Sequence, residues 1–150
     1  MLVARTIAEL RDGLAQLSAR ASERGEQHRG VGFVPTMGAL HDGHLSLVRA
    51  AQAENSVTVL SIFVNPKQFN DTDDFALYPR TEEQDHELAR DAGVDLVFAP
   101  GPEVISPDGF GTTVSVDPRL TGVLEGAVRG PAHFDGVTTV VCKLLLAVQP

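Results

Sequence analysis

The densest run of potentially reactive groups is Pro35-Thr36-Met37-Gly38-Ala39-Leu40-His41-Asp42-Gly43-His44. His41 and His44 stand three residues apart, with Asp42 and Gly43 between them. Two imidazoles at this spacing can donate to the non-bridging oxygens of a phosphate or to a departing pyrophosphate. Charge builds on those oxygens during attack at phosphorus, so donors already in place lower the barrier. A helix beginning at His44 adds free N–H groups and the positive end of its dipole, which favour the same anion. Gly38 permits a tight turn after a strand, and Gly43 lets a ligand approach the backbone. Histidines three apart also occur as plain surface residues, or share a metal. A zinc site needs further ligands; His86 and His133 are candidates by type, but neither has ligand-like spacing. No metal site built from these histidines is expected.

Other polar residues divide between chemistry and structure. Asn65 ends an apolar run just before Pro66, where it either contacts substrate or forms a turn. Tyr78 either lines a pocket or packs its loop. Lys67 and Arg80 read as solvated charges, as does Arg129, which is also a phosphate candidate. Asp71, Asp73 and Asp74 read as a solvated acidic loop, and Cys142 as a small packing residue.

The elements that position these groups follow from hydrophobic spacing. Ile7, Leu10, Leu14, Leu17 and Ala21 describe one helical face across residues 6–24, broken by Gly25 and Gly30. Val31 to Thr36 reads as a strand, and helical spacing returns at Leu45, Val48 and Ala51. Val57 to Val64 is a β-branched apolar run, long enough for a buried parallel strand. Residues 65–80 read as a polar loop with an ordered role. Thr81 is placed to cap a helix whose first turn carries Glu82, Glu83 and Asp85, acids that suit the dipole; Gly93 stops it. Asp95 to Pro100 is another short strand, 101–111 a Gly- and Pro-rich loop, and Thr112 to Val116 alternates like an edge strand. Gly136 to Val148 contains VTTVV, a strand by propensity. Yet Val137, Val140, Val141, Leu144, Leu145 and Val148 keep helical spacing, which predicts a buried helix with Asp135 near its cap. Strands alternating with helices predict an α/β domain with a parallel sheet and ligands at the carboxyl ends of its strands.

Composition narrows the class. The chain has 150 residues, a formal charge of −8, 43% hydrophobic residues and one cysteine. The length favours one domain, and the apolar content argues against disorder. No uninterrupted apolar run reaches the roughly 18 residues of a membrane span, and the N-terminus has no signal-peptide pattern. The acidic balance argues against a broad nucleic-acid face. One cysteine cannot form an internal disulfide, which fits a reducing, cytoplasmic setting. No membrane and no nucleic-acid partner are expected.

PTMGALHDGH at 35–44 resembles the HxGH signature of the nucleotidyltransferase superfamily. Together with SIFVNPKQF at 61–69, Tyr78-Pro79-Arg80-Thr81 and HFDGVTTVVCKLLLAVQP at 133–150, it closely resembles the pantothenate synthetase (pantoate–β-alanine ligase) family over nearly the whole chain. The resemblance implies a Rossmann-like parallel sheet with flanking helices. Residues 1–150 would then be the nucleotide- and pantoate-binding domain, lacking the family's smaller C-terminal domain. It implies an ATP-dependent ligase with Mg²⁺, in which pantoate and ATP give pantoyl adenylate and pyrophosphate. The β-alanine amine then attacks the adenylate and releases AMP. Met37, Gly38, Ala39, Leu40, His41, Asp42, Gly43 and His44 would line the ATP site. His44 matches the catalytic proton donor, His41 its phosphate-contacting partner, and Gln68 the glutamine that binds pantoate; Met37, Asn65 and Tyr78 would complete the substrate site. The family also implies a homodimer. A GxKDxQQ-like stretch and a KMSKS-related loop of the family are absent from this sequence. Arg129-Gly130-Pro131-Ala132-His133 also departs from the family's more frequent R-P-G-H order.

Two other readings stay open on the residues alone. One is a binding module that holds nucleotide or pantoate without catalysis. The other is a different HxGH nucleotidyltransferase acting on another acid or phosphate ester, against which FVNPKQF argues.

Overall fold

β-branched residues crowd each other along a helix but pack well on a pleated surface, and the sheet forms where the sequence concentrates them. The computed structural model describes residues 1–23 and 30–150. Four parallel strands, β1 (Leu2–Ala4), β2 (Val31–Thr36), β3 (Val57–Ile62) and β4 (Leu96–Phe98), lie in the order β1-β4-β3-β2. Val59 and Leu60 of the central β3 face Phe33 and Val34 on one side and Leu96 and Val97 on the other. Every residue of β3 is buried. β1, which has no patterning long enough to read in the sequence, is held by pairing Leu2, Val3 and Ala4 with β4.

Helices cover both faces, as a parallel sheet requires. On one face α1 (Ile7–Glu23) and α8 (Pro131–Val148) pack Leu10, Val140 and Leu144 against Val57, Val59, Leu96 and Phe98. On the other, α2 (Asp42–Glu54) and α4 (Glu82–Asp91) pack Val48 and Ala89 against Val34, Leu60, Ile62 and Val97. The alternation of Val59 with Leu60 between these clusters is the two-residue period of a strand. This is the Rossmann-like α/β arrangement that the sequence leads one to expect.

The predicted helical face from Ile7 to Ala21 forms α1; the expected break at Gly25 lies outside the described residues. VTTVV is helical, because burying one stripe of α8 against the sheet outweighs local strand propensity. α8 begins at Pro131, however, and Asp135 lies inside it rather than at its cap. Proline suits the first turn, where an amide is not needed. α8 has 18 residues and a mean hydropathy of 1.3, enough by length and composition to cross a membrane. Here its buried stripe instead closes the core.

Three further expectations are corrected. Thr112–Val116 forms no strand: the Val114 amide donates to Thr139 Oγ1 at 2.9 Å, so this segment runs against α8 instead of the sheet. The expected loop 65–80 contains a 3-10 turn (Pro66–Gln68) and α3 (Thr72–Leu77), the latter capped by Asp71, whose carboxylate accepts from the Asp73 amide. Thr81 precedes α4 but makes no side-chain cap. Three short helices, α5 (Pro102–Ile105), α6 (Pro118–Thr121) and α7 (Glu125–Arg129), complete the chain. Gly93 ends α4 as expected, in the left-handed region at φ 78°.

Candidate active site

β2 delivers the histidine run to the carboxyl end of the sheet. Thr36 ends the strand: its hydroxyl donates to the Ser61 carbonyl at 2.7 Å and accepts from the Gly38 amide at 3.1 Å. The chain then reverses through consecutive positive φ angles, 83° at Gly38 and 50° at Ala39. Glycine takes this conformation freely, whereas alanine does so against steric resistance.

The restraint on the turn is Asp85, which the sequence presents only as a first-turn acid of α4. Its carboxylate is 1% exposed and accepts from the amides of Ala39 (2.9 Å) and Leu40 (2.7 Å). Thr81 donates its hydroxyl to the same group at 3.3 Å. Leu40 turns its side chain into the core beside Val34 and Val48. Ala39 and Leu40 thus hold the turn through their amides, and Leu40 also fills the core. No sequence spacing reveals Asp85's role, because its partners lie 46 and 45 residues away.

His41 is the N-cap of α2, and its Nδ1 accepts from the Gly43 amide at 3.1 Å. That bond requires a bare Nδ1, so a neutral His41 carries its proton on Nε2 as an outward donor. A side chain at position 43 would come within 2.8 Å of the His41 ring, so the space that glycine leaves is filled by this cap. Asp42, exposed, begins the helix, where an acid suits the dipole. The His44 ring sits 4.1 Å from that of His41, centroid to centroid, and its Nδ1 is buried without a partner. Burial chiefly, and the neighbouring His41 next, push the His44 pKa below its ordinary value, while Asp85 pulls it back up.

The loop after β3 supplies the second half of the site. Asn65 is 2% exposed and caps the 3-10 turn through the Lys67 amide. Its Nδ2 donates to the Gly136 carbonyl at 3.0 Å and to Gln68 Oε1 at 3.2 Å. Gln68 Nε2 in turn points to Met37 Sδ at 2.8 Å, joining the two loops. The turn fits against α8 because residue 136 is glycine: a Cβ there would lie 2.4 Å from the Lys67 carbonyl oxygen. His133, from the same helix, contacts the Gln68 carbonyl through Nδ1 at 2.6 Å.

A cavity of about 480 Å³ opens here, lined by Met37, Gln68, Tyr78, Arg129 and His133 among others. Tyr78 both lines it and packs edge-on against Phe69 at 5.5 Å. Burial, with a smaller contribution from the Asp85 charge, raises the Tyr78 pKa. Arg129 reaches the cavity while paired with Glu125 at 2.7 Å. Arg80 is not simply solvated: it donates to the Phe75 carbonyl at 2.9 Å and the Ala76 carbonyl at 3.2 Å, fastening the end of α3. Among the described residues no three His, Cys, Asp or Glu side chains are grouped to hold a metal.

The arrangement thus juxtaposes a pair of imidazoles at a helix start with a cavity carrying an amide, a phenol and an imidazole. Residues 2–150 match the family model described as pantoate–β-alanine ligase. The chain belongs to the pantoate–β-alanine ligase family.

It is 52% identical over 145 residues to pantothenate synthetase of Thermus thermophilus, covering 97% of this chain and 48% of that one. It is 54% identical over 150 residues to the Moorella thermoacetica enzyme, covering 100% and 50%. The crystal structure of the Thermus thermophilus ligase superposes with a TM-score of 0.86 at 52% identity, covering all of this chain and 50% of that one. A Francisella tularensis ligase, solved with beta-gamma ATP and β-alanine, superposes at 0.84 with 39% identity, covering 100% and 54%. The chain spans about half the length of the curated relatives it matches. Besides the histidine pair and Gln68, the candidate site contains two side chains that residue type and spacing do not single out: Thr36, which starts the turn, and Asp85, which closes it.

Proposed function

We propose that residues 1–150 form the nucleotide- and pantoate-binding domain of an AMP-forming pantoate–β-alanine ligase, with ATP at Met37–His44 and pantoate beside Gln68. The observation that carries this reading is the contact of Gln68 Nε2 with Met37 Sδ, which joins the cavity to the histidine-bearing loop. The ATP and β-alanine named with the Francisella tularensis structure support it.

The residues fit the steps. A pantoate carboxylate oxygen attacks the α-phosphorus of ATP, the bond between the α- and β-phosphates breaks, and pyrophosphate leaves. His41 Nε2–H and the His44 ring are donors at the oxygens that gain charge. Bound triphosphate opposes the depression of the His44 pKa and so favours the protonated, donating form of the ring. Gln68, with Asn65 behind it, orients the carboxylate without pairing it to a cation, which leaves it nucleophilic. Tyr78 and Met37 border the same space. The β-alanine amine then attacks the acyl carbon, and AMP departs. Mg²⁺ would offset the charge of the triphosphate, and because no three His, Cys, Asp or Glu side chains among the described residues are grouped to hold it, the nucleotide itself would carry it. The same reading includes a cytoplasmic homodimer, checked by the mass of the protein in solution.

Pantoate-dependent pyrophosphate release from Mg-ATP, with β-alanine omitted, tests the proposal. Release is expected from the full-length protein and should fall about 10²–10⁴-fold in His44→Ala; near-normal release from that variant removes His44 from the chemistry. The 48–50% coverage of the relatives favours a second reading, a substrate-binding half-site. For the 150-residue chain alone, Mg-ATP binding without release marks that reading, and release marks a complete adenylation site.

A further inference from the structure

We propose that Asp85 is the positioning residue of this site: a carboxylate carried on α4 fixes the turn between β2 and α2 and thereby decides where His41 and His44 stand. The inference rests on the reading of residues 37–44 as the nucleotide loop.

The turn needs an external hold. Ala39 sits at φ 50°, a conformation that an L-residue with a Cβ resists, and it persists only where its surroundings impose it. Asp85 imposes it, accepting from the two consecutive amides at 2.9 and 2.7 Å. The carboxylate also lies against the turn itself: a Cβ at Gly38 would come within 2.9 Å of Asp85 Oδ2. Bonds from amides to a charged acceptor are roughly twice as strong as neutral ones. Immediately after this clamp come His41, the N-cap, and α2, so a shift of the turn becomes a shift of both imidazoles.

Burial makes the arrangement unusual. Asp85 is 1% exposed, and among the described residues no Lys, Arg or His lies within ion-pair distance of it. A buried carboxylate without a cation is costly, and its retention here is explained by what only an anion can do. It satisfies two amides and a hydroxyl at once, and it sets a negative potential behind the histidine pair. That potential is felt beyond the turn, because Asp85 favours the charged form of His44 against both burial and His41, and disfavours ionisation of Tyr78. An Asn at this position has one acceptor oxygen, so its NH₂ group would face one of the two amides.

The test is the pH titration of the His44 ring by NMR in the 150-residue chain and in Asp85→Asn, with Mg-ATP affinity measured on both by calorimetry. In Asp85→Asn the His44 pKa should fall by roughly half a unit or more. Resonances of residues 39–44 should move while those of β3 and β4 hold, and Mg-ATP affinity should drop about ten-fold or more. A purely structural Asp85 would lower stability and leave the His44 titration where it was; that result overturns the proposal. Should Asp85→Asn not fold, hydrogen exchange in the unaltered chain decides: the Ala39 and Leu40 amides must be slow relative to the Asp42 amide, and fast exchange at both overturns the clamp. If the unaltered chain binds no Mg-ATP, the nucleotide reading fails, while the titration still judges what Asp85 does to His44.

Discussion

The turns after β2 and β3 meet at the contact of Met37 with Gln68, yet they are fastened in opposite ways. The first is clamped by a buried carboxylate that reaches two backbone amides from another helix. The second is fastened without a carboxylate: by the Asn65 amide, by the contact of the His133 ring with the Gln68 carbonyl, and by the close approach that Gly136 permits between α8 and the Lys67 carbonyl. The first lock restrains an unfavourable backbone conformation through charge. The second restrains a comfortable one through fit. The first lock gives rigidity to the histidine-bearing turn, while the second leaves the neighbouring cavity shaped by side chains.

The largest expected effect comes from deleting the charged lock. Asp85→Ala leaves two amides without their acceptor inside the protein and should cost about 2–4 kcal/mol in urea unfolding. A loss below about 1 kcal/mol would mean that the turn holds itself, and the contrast between the loops would disappear. Next comes the packed lock. Gly136→Ala puts a methyl where the Lys67 carbonyl oxygen stands and should cost about 1–3 kcal/mol through displacement of α8. It should perturb the resonances of residues 65–68 while those of 37–44 move little. Asn65→Ala removes the cap and the bond to Gly136 and should cost about 1–2 kcal/mol, with the same spatial confinement.

The smallest effect is a pH dependence. His44 in the folded chain has a pKa below 6.5, so the unfolded state binds its proton more readily. Its contribution to stability is therefore fully present above about pH 6.5 and is lost as the pH falls through the folded-state value. His44→Gln should flatten the decline in the unfolding midpoint between about pH 7.5 and 5.5; an unchanged slope would assign that decline to other groups.

Much of this was legible in the order of residues. The run from Val57 to Val64 is rich in β-branched and apolar residues, which predicts a buried parallel strand, and β3 is buried at every residue. The stripe from Val137 to Val148 correctly overrode the strand propensity of VTTVV, because periodicity reports which side is buried and propensity does not. Failures occurred where a segment's partners are distant. β1 is three residues long and exists through its pairing with β4. Thr112–Val116 alternates, but finds Thr139 on a helix instead of a sheet edge. Arg80 looked solvated because the carbonyls it serves, at the end of α3, belong to a helix the sequence did not reveal.

By itself the sequence determined the alternation of strands and helices and the placing of the histidine run just after a strand. These are properties of neighbours along the chain, where spacing and chemistry are read directly. Only the tertiary structure decided that Asp85 is a buried clamp rather than a first-turn acid, that Gly43 makes room for His41, and that Gly136 makes room for the Gln68 loop. A hydrogen bond or a close approach is fixed by distance in space, and residues 39 and 85 become neighbours only once α2 and α4 pack on the same face of the sheet.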